Sequence, residues 1–186
     1  MGQLRGLLRG IAATTGEGPA AVLSRLDLAI DQLDIGTTAT VLLARLEQTA
    51  EERPRAITRL RWSSAGHPPP MAIDPQGDVH LLGWVDDLDG DADLLLGVDA
   101  RTTRTQSEAE LERGATVLLY TDGLVERRGQ AIDDGLNRLR EILAELASWD
   151  LPDLCDEVLA RMLPRGAEDD VALAAVRLHH QSPPYG

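Results

Sequence analysis

Three aspartates flank two apolar segments of the sequence, and their placement suggests metal chemistry. Asp122 directly follows the segment ATVLLY, whereas Asp169 and Asp170 directly precede the segment VALAAVRL. If both segments are strands that pair antiparallel, the end of one and the start of the other share a sheet edge, so their carboxylates converge. Converging carboxylates, with no cysteine and little histidine nearby, form the oxygen-only site that Mg²⁺ or Mn²⁺ prefers.

The same aspartates also fit a purely structural interpretation. Asp-Gly, here Asp122-Gly123, is among the commonest turn dipeptides, and an Asp pair before a strand is compatible with a solvated turn. The residues alone therefore leave open a metal-free structural domain in which these positions only reverse the chain.

The elements that position the aspartates follow from hydrophobic periodicity. Helical spacing predicts helices over 3–14, from Pro19 to a stop at Gly36, and over 132–147 and 151–163. Strands are predicted over 37–47, ITRLRWSS, VHLLGW, 101–111, ATVLLY and VALAAVRL. Mostly short turns join them, which favours antiparallel sheets. The strands VLLY and VALAAV are apolar on both faces, so we expect their sheet to be covered on each side, giving an α+β fold with helices outside and sheets inside.

Composition narrows the function classes. The chain has 186 residues, 43% of them hydrophobic, and a net charge of −13. We expect one domain over 1–180 and a disordered tail over 181–186. The charge argues against a nucleic-acid or membrane-surface partner. Because no signal peptide and no apolar run of about 20 residues is recognisable, we expect a cytoplasmic protein.

Two further features carry little chemistry. The single cysteine, Cys155, cannot form an internal disulfide, and it lies in a helical pattern as a packing residue rather than a nucleophile. The acidic segment DDLDGDAD does not fit the register of a calcium-binding loop, since its glycine and final glutamate are misplaced or missing. We interpret it as a solvated loop.

Four segments together resemble a known family. SSAGHPPPMAID, GATVLLYTDGLVERR, GLNRLREIL and AEDDVALAAVRL occur in an order and spacing similar to the SpoIIE-type branch of the type 2C (PPM) protein phosphatases, over about residues 1–178. The combination is specific, although each segment alone is weak. The resemblance implies a layered α-β-β-α sandwich, a pair of mostly antiparallel sheets flanked by helices.

The resemblance also assigns roles to individual residues. Asp122 matches the Asp of the family's TDG motif and Asp169 the first Asp of its DD motif, so both are implied as catalytic ligands of Mn²⁺ or Mg²⁺. Asp170 is implied to assist from outside the ligand set or to hold the turn, and Gly123 to allow close backbone approach. His67 matches the family's Asn-Ala-Gly-His segment, with Ser64 in place of Asn, and is expected to fix the hairpin rather than to bind metal.

One family segment has no match. Relatives carry Asp-x-x-Gly-His-Gly before a helix that MGQLRGLLRG resembles, and Asp27, Asp31 and Asp34 lie at the wrong place in the pattern to replace its aspartate. We therefore expect the C-terminal three-quarters of such a domain, lacking its N-terminal strands, with an incomplete two-metal site, weak or no activity, exposed strand edges and possible homodimers.

The implied function is metal-dependent hydrolysis of phosphoserine or phosphothreonine on a regulatory protein. Two cations would activate a bridging water without a covalent enzyme intermediate. The resemblance suggests a phosphorylated STAS-type anti-sigma-factor antagonist as substrate. A catalytically impaired pseudophosphatase, or a regulatory protein-binding module, is the alternative.

Overall fold

A computed structural model describes residues 2–83, 94–164, 166 and 169–179 of the chain. The predicted tail at 181–186 and the acidic segment at 86–93 lie outside the described residues. Among the helices in the described part, none combines the length and the apolar character needed to cross a bilayer.

Helices and strands in this part of the chain follow the predicted order closely. The helices are α1 (Gly2–Thr15), α2 (Pro19–Gln32), α3 (Asp122–Val125), α4 (Ile132–Leu146) and α5 (Leu151–Met162). The strands are β1 (Val41–Glu47), β2 (Ile57–Ala65), β3 (Met71–Ile73), β4 (Val79–Leu81), β5 (Ser107–Glu112), β6 (Thr116–Tyr120) and β7 (Leu173–Arg177). The short elements β3 and α3 were not predicted, because neither is long enough to show a period.

The second helix ends earlier than predicted. Its last helical residue is Gln32, and Asp34 and Gly36 both adopt positive φ values, 49° and 59°. Left-handed residues cannot continue a right-handed helix, so the chain leaves α2 before the glycine that the sequence suggested as its stop.

The strands form two sheets. One has the order β1-β2-β5, in which β1 and β2 are antiparallel with Val41 opposite Ala65. The other has the order β4-β3-β6-β7, and all three of its pairings are antiparallel. The predicted α+β fold class with antiparallel sheets is confirmed.

The chain divides into two compact units, each with its own core. The first comprises Met1–Glu47, Arg59–Pro68 and Val85–Ala109. Its core is the apolar face of α2 together with residues from α1, β2 and the segment after residue 93: Leu4, Leu23, Leu26, Ile30, Ala65 and Leu96. The helical spacing within α2 places its members on one face. The single domain expected over 1–180 stays a prediction.

The second unit comprises Gln48–Thr58, Pro69–Trp84 and Glu110–Gly186. Its core joins one face of the four-stranded sheet to α4 and α5, and it includes Leu118, Tyr120, Leu139, Leu143, Leu154 and Val158. Burying these side chains anchors β6 and β7 against two helices, and those strands carry the candidate site.

One expectation about β7 is wrong. We predicted that both faces of this strand are covered, but only alternate residues, Leu173 and Ala175, pack against the core, whereas Ala174 and Val176 are exposed. In the described sheet β7 is the last strand and has β6 as its neighbour on one side. Small and β-branched apolar residues therefore do not imply burial on both faces of an edge strand.

Candidate metal centre

The pairing of β6 with β7 brings the predicted aspartates to one end of the sheet. Tyr120 lies opposite Leu173, and the Thr121 N–H donates to the Ala172 carbonyl at 3.0 Å. Asp122 then leaves β6 at the same end at which Asp169 approaches β7. The predicted adjacency of the two strands is confirmed.

The side chain of Thr121 extends this pairing toward the aspartates. Its hydroxyl donates to the Asp170 carbonyl at 3.2 Å and accepts from the Ala172 N–H at 2.9 Å. A hydroxyl can do both at once. Thr121 was not among the site residues predicted from the sequence, although a threonine beside a strand end commonly bonds nearby backbone groups. The Asp170 carbonyl thus takes part in the bonds at this end of the ladder, and the roles expected for its side chain stay predictions.

Each candidate ligand accepts a hydrogen bond at one carboxylate oxygen from the N–H of the residue that follows it. Asp122 Oδ1 accepts from the Gly123 N–H at 2.8 Å, and Asp169 Oδ1 accepts from the Asp170 N–H at 2.7 Å. Asp122 is half-buried and Asp169 is exposed. No other hydrogen bond engages either carboxylate within the described part of the chain, so one oxygen of each remains uncommitted there.

Gly123 lies against the segment that carries Asp170. A Cβ atom at this position would be 2.8 Å from the Asp170 carbonyl oxygen, closer than real Cβ contacts allow. Gly123 therefore leaves the space in which the two segments meet.

Arg127 links α3, which begins at Asp122, to the end of α5. Its Nη1 donates to the carbonyls of Gly123 and Glu126 at 2.9 and 2.6 Å, and its Nη2 donates to the Met162 carbonyl at 2.8 Å. These are backbone acceptors at or near helix ends, which an arginine can satisfy. The sequence offered no signal for this role.

His67 belongs to the first unit, whereas the aspartates belong to the second. The turn at His67 is fixed mainly through Ser64, whose hydroxyl accepts from the His67 N–H at 3.0 Å and donates to the His67 carbonyl at 2.9 Å. The ring Nδ1 lies 3.4 Å from Thr40 Oγ1. The Ser64 hydroxyl therefore closes this turn, and the hairpin role expected for His67 stays a prediction.

Two side chains near the strands are poor candidates for chemistry. Burial raises the pKa of Tyr120, so its phenol stays protonated. Burial and, secondarily, the charge of Asp156 raise the pKa of Cys155, so this thiol also stays protonated at neutral pH.

Asp122 and Asp169 supply an oxygen donor set, which suits a hard divalent cation. Nowhere in residues 2–83, 94–164, 166 and 169–179 does a group of three or more His, Cys, Asp or Glu side chains come together around a metal position. The pairing of β6 with β7 places the two carboxylate-bearing segments at one end of the sheet, and a metal site there stays a prediction.

Comparison with known proteins places this chain in a family. The family model for Stage II sporulation protein E (SpoIIE) matches residues 1–179. The RsbU and RsbW domains of a Mycobacterium tuberculosis protein are 26% identical, with a TM-score of 0.77 over 98% of this chain and 48% of that chain. This chain thus spans about half the length of that structure.

Two other solved structures share the fold at lower identity. The SiaA-PP2C domain of Pseudomonas aeruginosa is 21% identical, with a TM-score of 0.69 over 94% of this chain and 66% of that chain. The phosphatase domain of the cell fate determinant SpoIIE from Bacillus subtilis, presoaked with Mn, is 16% identical, with a TM-score of 0.61 over 96% and 73%. From the match over residues 1–179, this chain belongs to the SpoIIE family of PP2C-type phosphatase domains.

Proposed function

We propose that this chain is a metal-dependent phosphoprotein phosphatase in which Asp122 and Asp169 bind Mn²⁺ or Mg²⁺. The observation that carries the proposal is the end of the β6–β7 ladder, where Thr121 bonds both Asp170 and Ala172 and so brings the two carboxylate-bearing segments together. Family membership supports the reaction class.

Within this proposal the residues have distinct tasks. When bound, the cations supply a water of lowered pKa and neutralise charge on the phosphoryl oxygens. Asp122 and Asp169 would hold the cations, each with one carboxylate oxygen that no described residue engages, and Gly123 allows the segments to approach. Asp170 holds the turn through its carbonyl. His67 is proposed to help fix its own loop, whose turn the Ser64 hydroxyl closes.

The proposed substrate is phosphoserine or phosphothreonine on a regulatory protein, specifically a phosphorylated STAS-type anti-sigma-factor antagonist. The 26% identity to a structure containing an RsbU domain supports this assignment. The net charge of −13 makes a nucleic-acid substrate unfavourable.

A phosphatase assay tests the proposal. We expect Mn²⁺-dependent release of phosphate from a phosphoserine protein of the STAS class, at a low rate, and loss of that release in Asp122→Asn and Asp169→Asn. Asp133→Asn, an exposed aspartate of α4, is the matched control for the change of charge and should retain activity. Equal turnover in Asp122→Asn and in the unaltered chain would contradict the assignment.

The alternative is a catalytically impaired pseudophosphatase that binds a regulatory protein. It corresponds to the case in which Asp122 and Asp169 do not assemble a working metal site. Tight binding of the phosphoprotein without any phosphate release, unchanged by Asp122→Asn, would support this alternative over the enzyme.

A further inference from the structure

We propose that Thr121 and Arg127 are positioning residues that set the separation of the Asp122 and Asp169 carboxylates, and with it the metal affinity of the site. This inference rests on the proposed function, because it assumes that the two carboxylates bind a cation. It concerns residues for which sequence analysis suggested no role.

The two carboxylates lie on segments that are far apart in sequence. Asp122 begins α3, whereas Asp169 lies between the end of α5 and the start of β7. No hydrogen bond or ion pair within the described residues joins the two aspartates directly. Their relative position therefore depends on the bonds that tie one segment to the other.

Thr121, at the end of β6, is bonded to the residues that lie between Asp169 and β7. Strand β7 begins at Leu173, and the Thr121 backbone and hydroxyl continue its pairing with Ala172 and then Asp170. The hydroxyl thus fixes the residue that directly follows Asp169. Valine has nearly the same shape but no hydroxyl, so Thr121→Val would remove both side-chain bonds and leave the backbone bond.

Arg127 links α3 to the end of α5, the helix that precedes Asp169 in the chain. Its guanidinium bonds the carbonyls of Gly123 and Glu126 around α3 and, through the other terminal nitrogen, the Met162 carbonyl at the end of α5. Asp169 follows Met162 by seven positions in the sequence. The planar guanidinium reaches both helix ends at once, which the single ammonium of a lysine reproduces poorly.

The chain offers a matched control for each residue. The Thr116 hydroxyl accepts from Arg177 Nε at 2.8 Å, so it also links β6 to β7, but at the opposite end of the ladder. Arg138 donates to the Arg161 carbonyl at 2.6 Å, so it also bonds the end of α5, but from α4 rather than from the segment of Asp122. Substituting Thr116 or Arg138 would remove a similar hydrogen bond and leave the bonds around α3 in place.

The experiment is a Mn²⁺ titration of the full chain followed by the electron paramagnetic resonance signal of the uncomplexed ion. We expect Thr121→Val and Arg127→Met each to weaken Mn²⁺ binding by about five-fold or more, the loss of affinity that follows from one or two hydrogen bonds. Thr121→Ser should restore the affinity, whereas Thr116→Val and Arg138→Met should leave it unchanged. Circular dichroism melting establishes that each variant is folded at the titration temperature.

The outcomes separate this inference from the proposed function. Unchanged Mn²⁺ affinity in Thr121→Val and Arg127→Met, together with lost binding in Asp122→Asn, would overturn the positioning role alone. Equal binding by the unaltered chain and by Asp122→Asn would overturn the proposed site, and the inference with it. If Thr121→Val does not fold, the comparison of Arg127→Met with Arg138→Met decides the question.

Discussion

Asp27 and Arg104 form a bidentate ion pair inside the first unit, with Arg104 Nε 2.8 Å from Oδ2 and Nη2 3.0 Å from Oδ1 of Asp27. Both side chains are completely shielded from solvent. Asp27 also accepts from the Gly97 N–H, and Arg104 donates to the carbonyls of Leu94 and Leu95. The pair therefore fixes the segment 94–104 to α2.

We expect Arg104→Met to lower the free energy of unfolding by about 3–5 kcal/mol, because it leaves the Asp27 carboxylate buried without its partner. Urea denaturation measures this change. Arg25→Met, which breaks the solvent-exposed pair with Glu17, is the control and should have little effect. A similar loss in both variants would show that burial of the Asp27–Arg104 pair does not matter.

Gly135 of α4 gives a second prediction. A Cβ atom at this position would lie 1.9 Å from the carbonyl oxygen of Val125, the last residue of α3. Gly135→Ala must therefore push α4 away from α3, and we expect it to cost about 1–3 kcal/mol of stability or more. Gly6→Ala, at a helical position with no atom within 4 Å of the new Cβ, should instead stabilise by up to about 1 kcal/mol. A higher melting temperature for Gly135→Ala than for Gly6→Ala would refute the close approach of α4 to α3.

Asp74 at the β3–β4 turn should respond to pH. The hydrogen bond to His80 and, to a smaller extent, the N–H groups of Asp78 and Gln76 lower the pKa of Asp74. Because the pKa is lower in the folded state, the stabilisation is complete above the unfolded value, near pH 4, and is lost as pH falls through the folded value. We expect His80→Ala to raise the pKa of Asp74 in a carboxyl NMR titration. An unchanged titration curve would rule out the contribution of His80.

Metal affinity follows from the number of carboxylates. With Asp122 and Asp169 as its ligands, the site should bind Mn²⁺ with a dissociation constant on the order of 10⁻⁴–10⁻³ M, comparable to weak calcium sites in proteins. Calorimetry should detect this binding, and Asp122→Asn or Asp169→Asn should abolish it, whereas Asp133→Asn should not. Binding that survives both site substitutions would place the cation elsewhere in the chain.

Self-association is expected through β7. Val176 is 42% exposed on the last strand of the described sheet, next to the exposed Ala174. Exposed apolar strand edges promote pairing with a second copy, and a lysine there opposes it. Light scattering should show dimers or larger species for the unaltered chain and fewer for Val176→Lys. Identical scattering at matched melting temperature would exclude β7 as the contact.

Elements that show a repeated hydrophobic pattern were predictable from the sequence, whereas bonds made by individual side chains were not. The helical periods of α2, α4 and α5 and the apolar runs of β6 and β7 were recognisable because several residues share each pattern. The placement of the Asp122 and Asp169 segments at one sheet end followed from the predicted pairing of β6 with β7. The bonds that secure it did not, because Thr121 and Arg127 reach Asp170 and Met162, backbone groups distant in sequence, without any repeating pattern. The exposure of Val176 was also missed, since composition does not distinguish an edge strand from an internal one.

The position of the two strands in their sheet has a kinetic consequence. β6 lies between β3 and β7, whereas in the described order β7 is paired with β6 alone. Opening β7 breaks one ladder and opening β6 breaks two, so amide protons near Asp169 should exchange with solvent faster than those near Asp122. A cation held by both carboxylates would then dissociate by releasing Asp169 first, and its residence time would be set by the opening rate of the outer strand.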